Sequence, residues 1–293
     1  MDNAIISKLV GFAEADDAIR AVILEGSLAA GRFIDDLSDY DVNIFTRNAR
    51  PYLNDDLWMG QFGNVLIYQK EEFDFYDQII TTRLVIFADG LRIDFSFWPL
   101  GYLTEMADGS KPYEPYRNGF QVLVDKDGLA ASLPAPDKLG FHVHLPEKDL
   151  FLQTVYDFWF EAYSIAKALV RGDLWYAKRM DASYVKDHLY QMVLWEHQRR
   201  LSWSHDPVLH LGGKRFEKWA SPQLLEAIST CFSAYNEDET WASLFAMLGL
   251  FNRIAQKLAG ELKFKYPLRA EKEIVTALNG LWQRAVRDND SAT

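Results

Sequence analysis

The sequence predicts an α+β protein: a mixed β-sheet domain with flanking helices over residues 1–140, then an α-helical bundle over 141–293. Short β-branched runs with alternating apolar residues recur through the first half, which is the strand period. Apolar residues step by three and four through the second half, which is the helix period. Between them, from about 108 to 146, the chain carries Pro112, Pro115, Pro134, Pro136 and Pro146, the composition of a boundary segment.

The elements follow in order. Ile5, Ile6, Leu9, Val10 and Ala13 form a helical stripe over 5–15. Residues 19–25 are a β-branched run that ends in the turn Gly26-Ser27. The next strand covers 40–46, and residues 65–68 and 83–88 continue the sheet. Asp89-Gly90 is a hairpin turn. It returns the chain into 91–98, where Leu91, Ile93, Phe95 and Phe97 alternate with Arg92, Asp94, Ser96 and Trp98. In the second half Phe151, Val155, Phe158, Ala162, Ile165 and Leu169 mark one helix, ended by Gly172. A second helix is expected over 173–200. After Gly212-Gly213, Pro222 suits the first turn of another helix, and 239–260 and 269–286 complete the bundle.

Composition bounds the function. Of 293 residues, 49% are apolar, enough for two cores. The formal net charge is −11, which argues against a nucleic-acid partner and suits a cationic small molecule. Cys231 is the single cysteine, so neither an internal disulfide nor a cysteine zinc cluster forms. The N-terminal residues lack a basic region followed by an apolar run, so no signal peptide is expected. Residues 241–251 are the nearest approach to a membrane span and are too short for one. The expected compartment is the cytoplasm. The six histidines (His142, His144, His188, His197, His205 and His210) show no metalloprotease spacing.

The chemistry is concentrated in three aspartates. Asp39 and Asp41 are two apart, so a strand directs both to one face. Such like charges repel unless a cation lies between them. Oxygen ligands select Mg²⁺, which shares its remaining positions with water and substrate phosphates. Asp94 lies on the face of its strand opposite Ile93, Phe95 and Phe97 and joins the pair if that strand neighbours 40–46. Three carboxylates hold two divalent ions, one activating a nucleophile and one neutralising a leaving group. Gly26 lets backbone approach a phosphate closely, and Ser27 adds a hydroxyl donor. A strand, Gly-Ser, a polar loop, D-x-D in a strand and a lone Asp in a later strand make a far more specific order than any one part.

In that order the chain is similar to the nucleotidyltransferase superfamily. Ile23-Leu24-Glu25-Gly26-Ser27, Asp35-Asp36-Leu37-Ser38-Asp39-Tyr40-Asp41, Leu66-Ile67-Tyr68-Gln69-Lys70 and Ile93-Asp94-Phe95-Ser96-Phe97-Trp98-Pro99-Leu100 resemble the aminoglycoside 6-adenylyltransferase (streptomycin adenylyltransferase) family. So do Phe158-Trp159, Ala166-Lys167 and Tyr176-Ala177-Lys178, and the resemblance runs from about residue 10 to about 220. It implies a nucleotidyltransferase-type sheet domain and a helical substrate-binding domain. It also implies transfer of AMP from ATP to a hydroxyl of streptomycin, with pyrophosphate released. Asp39 and Asp41 are then ligands to both Mg²⁺ ions, Asp94 completes the catalytic ion, and Ser27 touches the triphosphate. The family's Gly-Ser-Arg is Gly26-Ser27-Leu28 here, and the following loop is about one residue short. Arg32 is the candidate to replace the arginine on phosphate.

Two further residues are candidates from their own surroundings. Glu161 follows the aromatic run Phe158-Trp159-Phe160, where desolvation raises a carboxyl's pKa toward that of a useful proton acceptor. Asp157 and Asp181 are the neighbouring options. Lys214, after Gly212-Gly213, has the reach for a triphosphate, and a surface lysine is the competing reading. Two alternative functions stay open: the same transfer to another small-molecule or protein hydroxyl, and a nucleotide-binding regulatory or antitoxin-like protein without turnover.

Overall fold

A computed structural model describes residues 2–137, 143–206 and 211–290, the side chains of Leu211, Asn289 and Asp290 excepted. The chain divides into two compact units, 1–139 and 140–293. The expected boundary at 140/141 and the histidines His142 and His210 lie outside the described residues.

The first unit runs α1 (Asn3–Glu14), β1 (Ile19–Glu25), α2 (Gly26–Ala30), β2 (Tyr40–Thr46), α3 (Arg50–Asn54), β3 (Val65–Phe75), β4 (Gln78–Phe87), β5 (Arg92–Pro99), α4 (Gly101–Ala107), α5 (Pro115–Asn118) and β6 (Gln121–Asp125), with short 3₁₀ turns at Leu57–Gln61 and Leu129–Ser132. The α+β reading holds. The six strands form one mixed sheet in the order β3-β4-β5-β2-β1-β6. Only β2 and β5 pair in parallel; the other neighbours are antiparallel.

Period-two alternation gives this sheet two buried faces. Val22, Leu24, Val42, Ile44, Ile93, Phe95 and Phe97 pack on one side with Leu9 and Phe12 of α1 and with Trp58 and Phe62. Ala21, Ile23, Phe45 and Trp98 pack on the other with Tyr102, Leu103 and Tyr116 from α4 and α5. Asp41, Asp94 and Glu25 share the parity of this second face. Asn43 locks its centre: Trp98 Nε1 donates to Asn43 Oδ1 at 2.8 Å, and Asn43 Nδ2 donates to the Tyr116 hydroxyl at 3.2 Å.

Two expectations need correction in this unit. The hairpin strands are longer than 65–68 and 83–88, because Phe73 and Phe75 pack on Trp98 and extend the pairing to a turn at Tyr76-Asp77. The segment read as boundary also contributes β6, which pairs with β1 at the sheet edge.

The second unit is helical: α6 (Lys148–Val170), α7 (Leu174–Met180), α8 (Lys186–Arg200), α9 (Phe216–Trp219), α10 (Pro222–Ser229), α11 (Glu237–Leu262) and α12 (Leu268–Asp290). Phe158 of α6 stacks on Phe251 of α11 with centroids 3.6 Å apart. Trp159 Nε1 donates to Asn252 Oδ1 at 2.9 Å. Asn236 caps α11 by accepting from Glu239 N at 2.9 Å, and three acids follow in its first turn, favourable to the helix dipole. The helix expected over 173–200 is two helices joined by a π turn, Asp181–Val185. Asp181 is buried there and ion-paired with Lys186, so the turn widens to satisfy a charge inside the bundle. Residues 241–251 lie in α11 with Trp241, Leu244, Met247, Leu248 and Phe251 buried. No helix among the described residues is long and apolar enough to cross a membrane.

One buried charge organises the outer part of the sheet. Arg83 of β4 is 1% exposed. It donates to Asp56 Oδ1 at 2.8 Å and to the carbonyls of Thr82 and Leu53, each at 2.9 Å. Burial opposes the Asp56 charge, but hydrogen bonds from Lys70, Arg83 and Tyr68 outweigh it and hold the pKa down to about 2. This group therefore contributes stability above the unfolded value near 3.9 and loses it as pH falls through about 2. Asp56→Asn leaves the guanidinium buried without its counter-charge, and we expect a loss of about 3 kcal/mol at neutral pH. Urea titration should show the gap between wild type and variant narrowing below about pH 4; a gap constant down to about pH 2 would contradict the pairing.

Candidate active site

Three strands bring four carboxylates to one end of a sheet face. Asp41 in β2 is the register partner of Asp94 in the parallel strand β5 and of Glu25 in the antiparallel strand β1. Asp39 stands just ahead of β2 with the parity of Asp41. Parallel pairing of β2 and β5 is the step that local sequence does not announce, and it makes Asp94 a neighbour of Asp41.

Arg92 meets this charge. It is two residues before Asp94 on the same face of β5, donating from Nε to Oδ1 at 2.9 Å and from Nη2 to Oδ2 at 2.8 Å. Its Nη1 is 3.6 Å from Asp39 Oδ2. The Asp94 hydrogen bonds raise its pKa against the opposing effect of burial, and the charges of Asp94, Asp39 and Asp41 add to this.

Glu25 balances the remaining charge by keeping its proton. Burial, and then the charge of Asp41, push its pKa up to about 8. Tyr113 donates its hydroxyl hydrogen to Oε1 at 3.0 Å, while the buried Oε2 has no protein partner. Gly26 follows with φ +72°, and a β-carbon there would lie 1.9 Å from Asp41 Oδ2. Glycine is therefore required twice over, by backbone and by the carboxylate against it. Ser27 is half-buried in the short helix α2, and the Arg32 amide donates to the Ser27 carbonyl at 3.3 Å. Leu28, at the position of the family's arginine, is 4% exposed in the core on the other face.

Asp39, Asp41, Asp94, Gly26 and Ser27 are thus brought together, with Arg32 in the loop that follows. Glu161 and Lys214 belong to the helical unit. Glu161 lies on α6, and its buried Oε2 has no protein partner. Lys214 is exposed in the turn after Gly213. Asp181 is engaged by Lys186, and Asp157 accepts from Gln153 Nε2 at 2.6 Å. The sequence reading missed Arg92, Glu25 and Tyr113. The alternation of Arg92 with Asp94 on one strand face was the available signal for the first, and none existed for the long-range Glu25–Tyr113 pair.

The donor set tests which cation suits the place. Asp39, Asp41 and Asp94 offer only oxygen, the preference of a small hard divalent ion. Arg92 meets Asp94 and Asp39. Among the described residues no three acidic, imidazole or thiol groups are already gathered as a metal cage. The chemistry of the donor set fits a divalent cation.

Comparison with known proteins follows this geometry. A family model described as streptomycin adenylyltransferase matches residues 1–281. An aminoglycoside 6-adenylyltransferase of Campylobacter jejuni is 26% identical over 90% of both chains. One from Bacillus subtilis strain 168 is also 26% identical, over 87% of this chain and 89% of its own. The crystal structure of an aminoglycoside 6-adenyltransferase from Bacillus subtilis is similar over 95% of this chain and 97% of its own, with a TM-score of 0.46 and 22% identity.

Two outcomes follow from the geometry. Gly31 has φ +69° with nothing near its β-carbon position, so Gly31→Ala should cost about 1 kcal/mol of backbone strain. Gly26→Ala should cost at least about twice that by thermal unfolding, and the excess should vanish in an Asp41→Ala background. Separately, the folded protein holds the Glu25 proton to about pH 8, the unfolded chain only to about 4.3. Its contribution is complete below about pH 4 and lost as pH rises towards 8. In EDTA, wild type should lose stability relative to Glu25→Gln between about pH 5 and about pH 8; parallel curves would show Glu25 ionised throughout.

Proposed function

The chain belongs to the streptomycin adenylyltransferase family, and from that premise we propose that it transfers the adenylyl group of ATP to a hydroxyl of an aminoglycoside, with streptomycin as acceptor. It is an enzyme, a nucleotidyltransferase. The observation that supports the reading best is the register of β1, β2 and β5, which sets Asp41 between Asp94 and Glu25 beside the Gly26-Ser27 turn.

In this reaction the acceptor oxygen bonds to the α-phosphorus of ATP, the bond from that phosphorus to the α,β-bridging oxygen breaks, and pyrophosphate leaves. The hydroxyl proton passes to a base. Asp39, Asp41 and Asp94 are the residues to hold Mg²⁺, with two ions expected. Bound there, magnesium supplies Lewis acidity and neutralises developing negative charge. Ser27 offers its hydroxyl to a phosphate oxygen, and Gly26 keeps the backbone close. Arg32 is the guanidinium proposed for the triphosphate, and Lys214 a second cation for it. Arg92 shields the carboxylates from one another until a cation replaces it. Glu161, with an unpartnered buried oxygen, is the proposed proton acceptor. Most of the rate then comes from positioning and electrostatics. The acidity of the chain suits a polycationic acceptor, and the cytoplasm, which supplies ATP and magnesium, is the compartment this chemistry calls for.

The test is transfer of label from [α-³²P]ATP to streptomycin in the presence of Mg²⁺, with other aminoglycosides in parallel. We expect labelled streptomycin, and a kcat at least about a hundredfold lower in Asp41→Asn, with circular dichroism showing that the variant folds. Label on another aminoglycoside alone would keep the transfer and replace the acceptor. ATP binding without label on any acceptor would favour the non-catalytic reading, in which the Arg92–Asp94 pair is never displaced.

A further inference from the structure

We propose that a cavity within the helical unit is a binding site for a small organic anion carrying an apolar ring. The cavity is about 480 Å³ and is enclosed by α8, α10, α11 and the residues leading into α10. That volume suits a compact ligand rather than a macromolecule. Its floor is apolar, with Val193, Leu224, Leu250 and Ile254 among the lining residues.

The rim has the opposite sign from the protein as a whole. Arg200, Arg253 and Lys257 line it, against the single carboxylate of Glu196. Glu196 accepts from Lys257 at 2.9 Å and from Arg200 at 3.1 Å, and also from Arg199 at 2.8 Å. Arg199 in turn reaches Glu261 at 2.6 Å. Among the lining residues three cations face one carboxylate, in a chain whose net charge is −11. Among the described residues Arg253 makes no ion pair, so one exposed guanidinium on the rim has no counter-charge.

Aromatic residues complete the wall. Trp219 lines the cavity, and its buried indole Nε1–H has no protein acceptor. Its ring lies against His197, with centroids 4.5 Å apart. His197 is itself held by Asp206 at 2.8 Å. Ser221, which caps α10 by accepting from Leu224 N at 3.2 Å, belongs to the same wall with Gln223, Leu224 and Ala227. An anionic group at the rim would meet Arg253 beside Arg200 and Lys257, and a ring would cover the apolar lining residues and the Trp219 face. Nothing in this depends on the acceptor proposed for the carboxylate site.

The probe is 8-anilinonaphthalene-1-sulfonate, titrated by fluorescence, with uncharged N-phenyl-1-naphthylamine as the comparison. We expect one saturable sulfonate site per chain. Arg253→Glu should weaken the sulfonate at least about tenfold and leave the neutral probe within about twofold. Arg171→Glu, a reversal at an exposed arginine outside the cavity wall, should change neither. Circular dichroism of the variants keeps folding and binding apart. No saturable sulfonate binding to wild type overturns the proposal. So does sulfonate affinity that Arg253→Glu leaves unchanged, or that Arg171→Glu lowers as much.

Discussion

The first unit is built around a concentration of negative charge that the fold creates and then has to neutralise. Register in β1, β2 and β5 lines up Glu25, Asp41 and Asp94 in one row, with Asp39 at its entrance. Two local devices make this tolerable. Arg92 forks onto Asp94 and faces Asp39. Glu25 stays protonated because burial and Asp41 together oppose its charge. The apolar and aromatic packing below the row, from Asn43 and Trp98 to Tyr116, keeps the strands from sliding, and a slip of one residue would turn every carboxylate to the other face.

What was legible in the sequence was local. The strands at 19–25 and 40–46 are β-branched runs closed by turn residues, and they fold as read. The alternation in 91–98 put Asp94 on the right face. The rest depended on distant partners. β6 is a five-residue edge strand among prolines and glycines, and only pairing with β1 makes it a strand. The π turn at Asp181–Val185 coincides with a buried carboxylate paired to Lys186, five residues on, and helical periodicity alone carries no such information. Glu25 was visible as part of the Glu25-Gly26-Ser27 turn. Its proton is retained because β1 ends in a buried place and Asp41 of the neighbouring strand opposes a second charge, against the hydrogen bond donated by Tyr113, 88 residues away.

Both units pair buried polar groups: Trp159 with Asn252 and Asp181 with Lys186 in the helical unit, Arg83 with Asp56 and Trp98 with Asn43 in the sheet unit. Such pairs fix register more than they add stability. In the sheet unit Arg92 also meets a row of like charges, bonded to Asp94 and facing Asp39. Structural networks rarely leave carboxylates so crowded, whereas sites that bind cations need them so.

Leu28 sharpens this contrast. At the place where the family pattern carries an arginine, this chain has a side chain packed in the core with Val22, Leu24 and Val42. In the first unit two guanidiniums then stand beside motif residues: Arg32 in the loop after Ser27, and Arg92 two residues before Asp94. Arg92 is committed to Asp94 while the carboxylates lack another cation. A divalent ion held by Asp94 would compete with that guanidinium for the same two oxygens, because Nε and Nη2 of Arg92 occupy both. The pair is set by two residues of one strand face, so the alternation of β5 itself fixes which cation Asp94 meets in this structure.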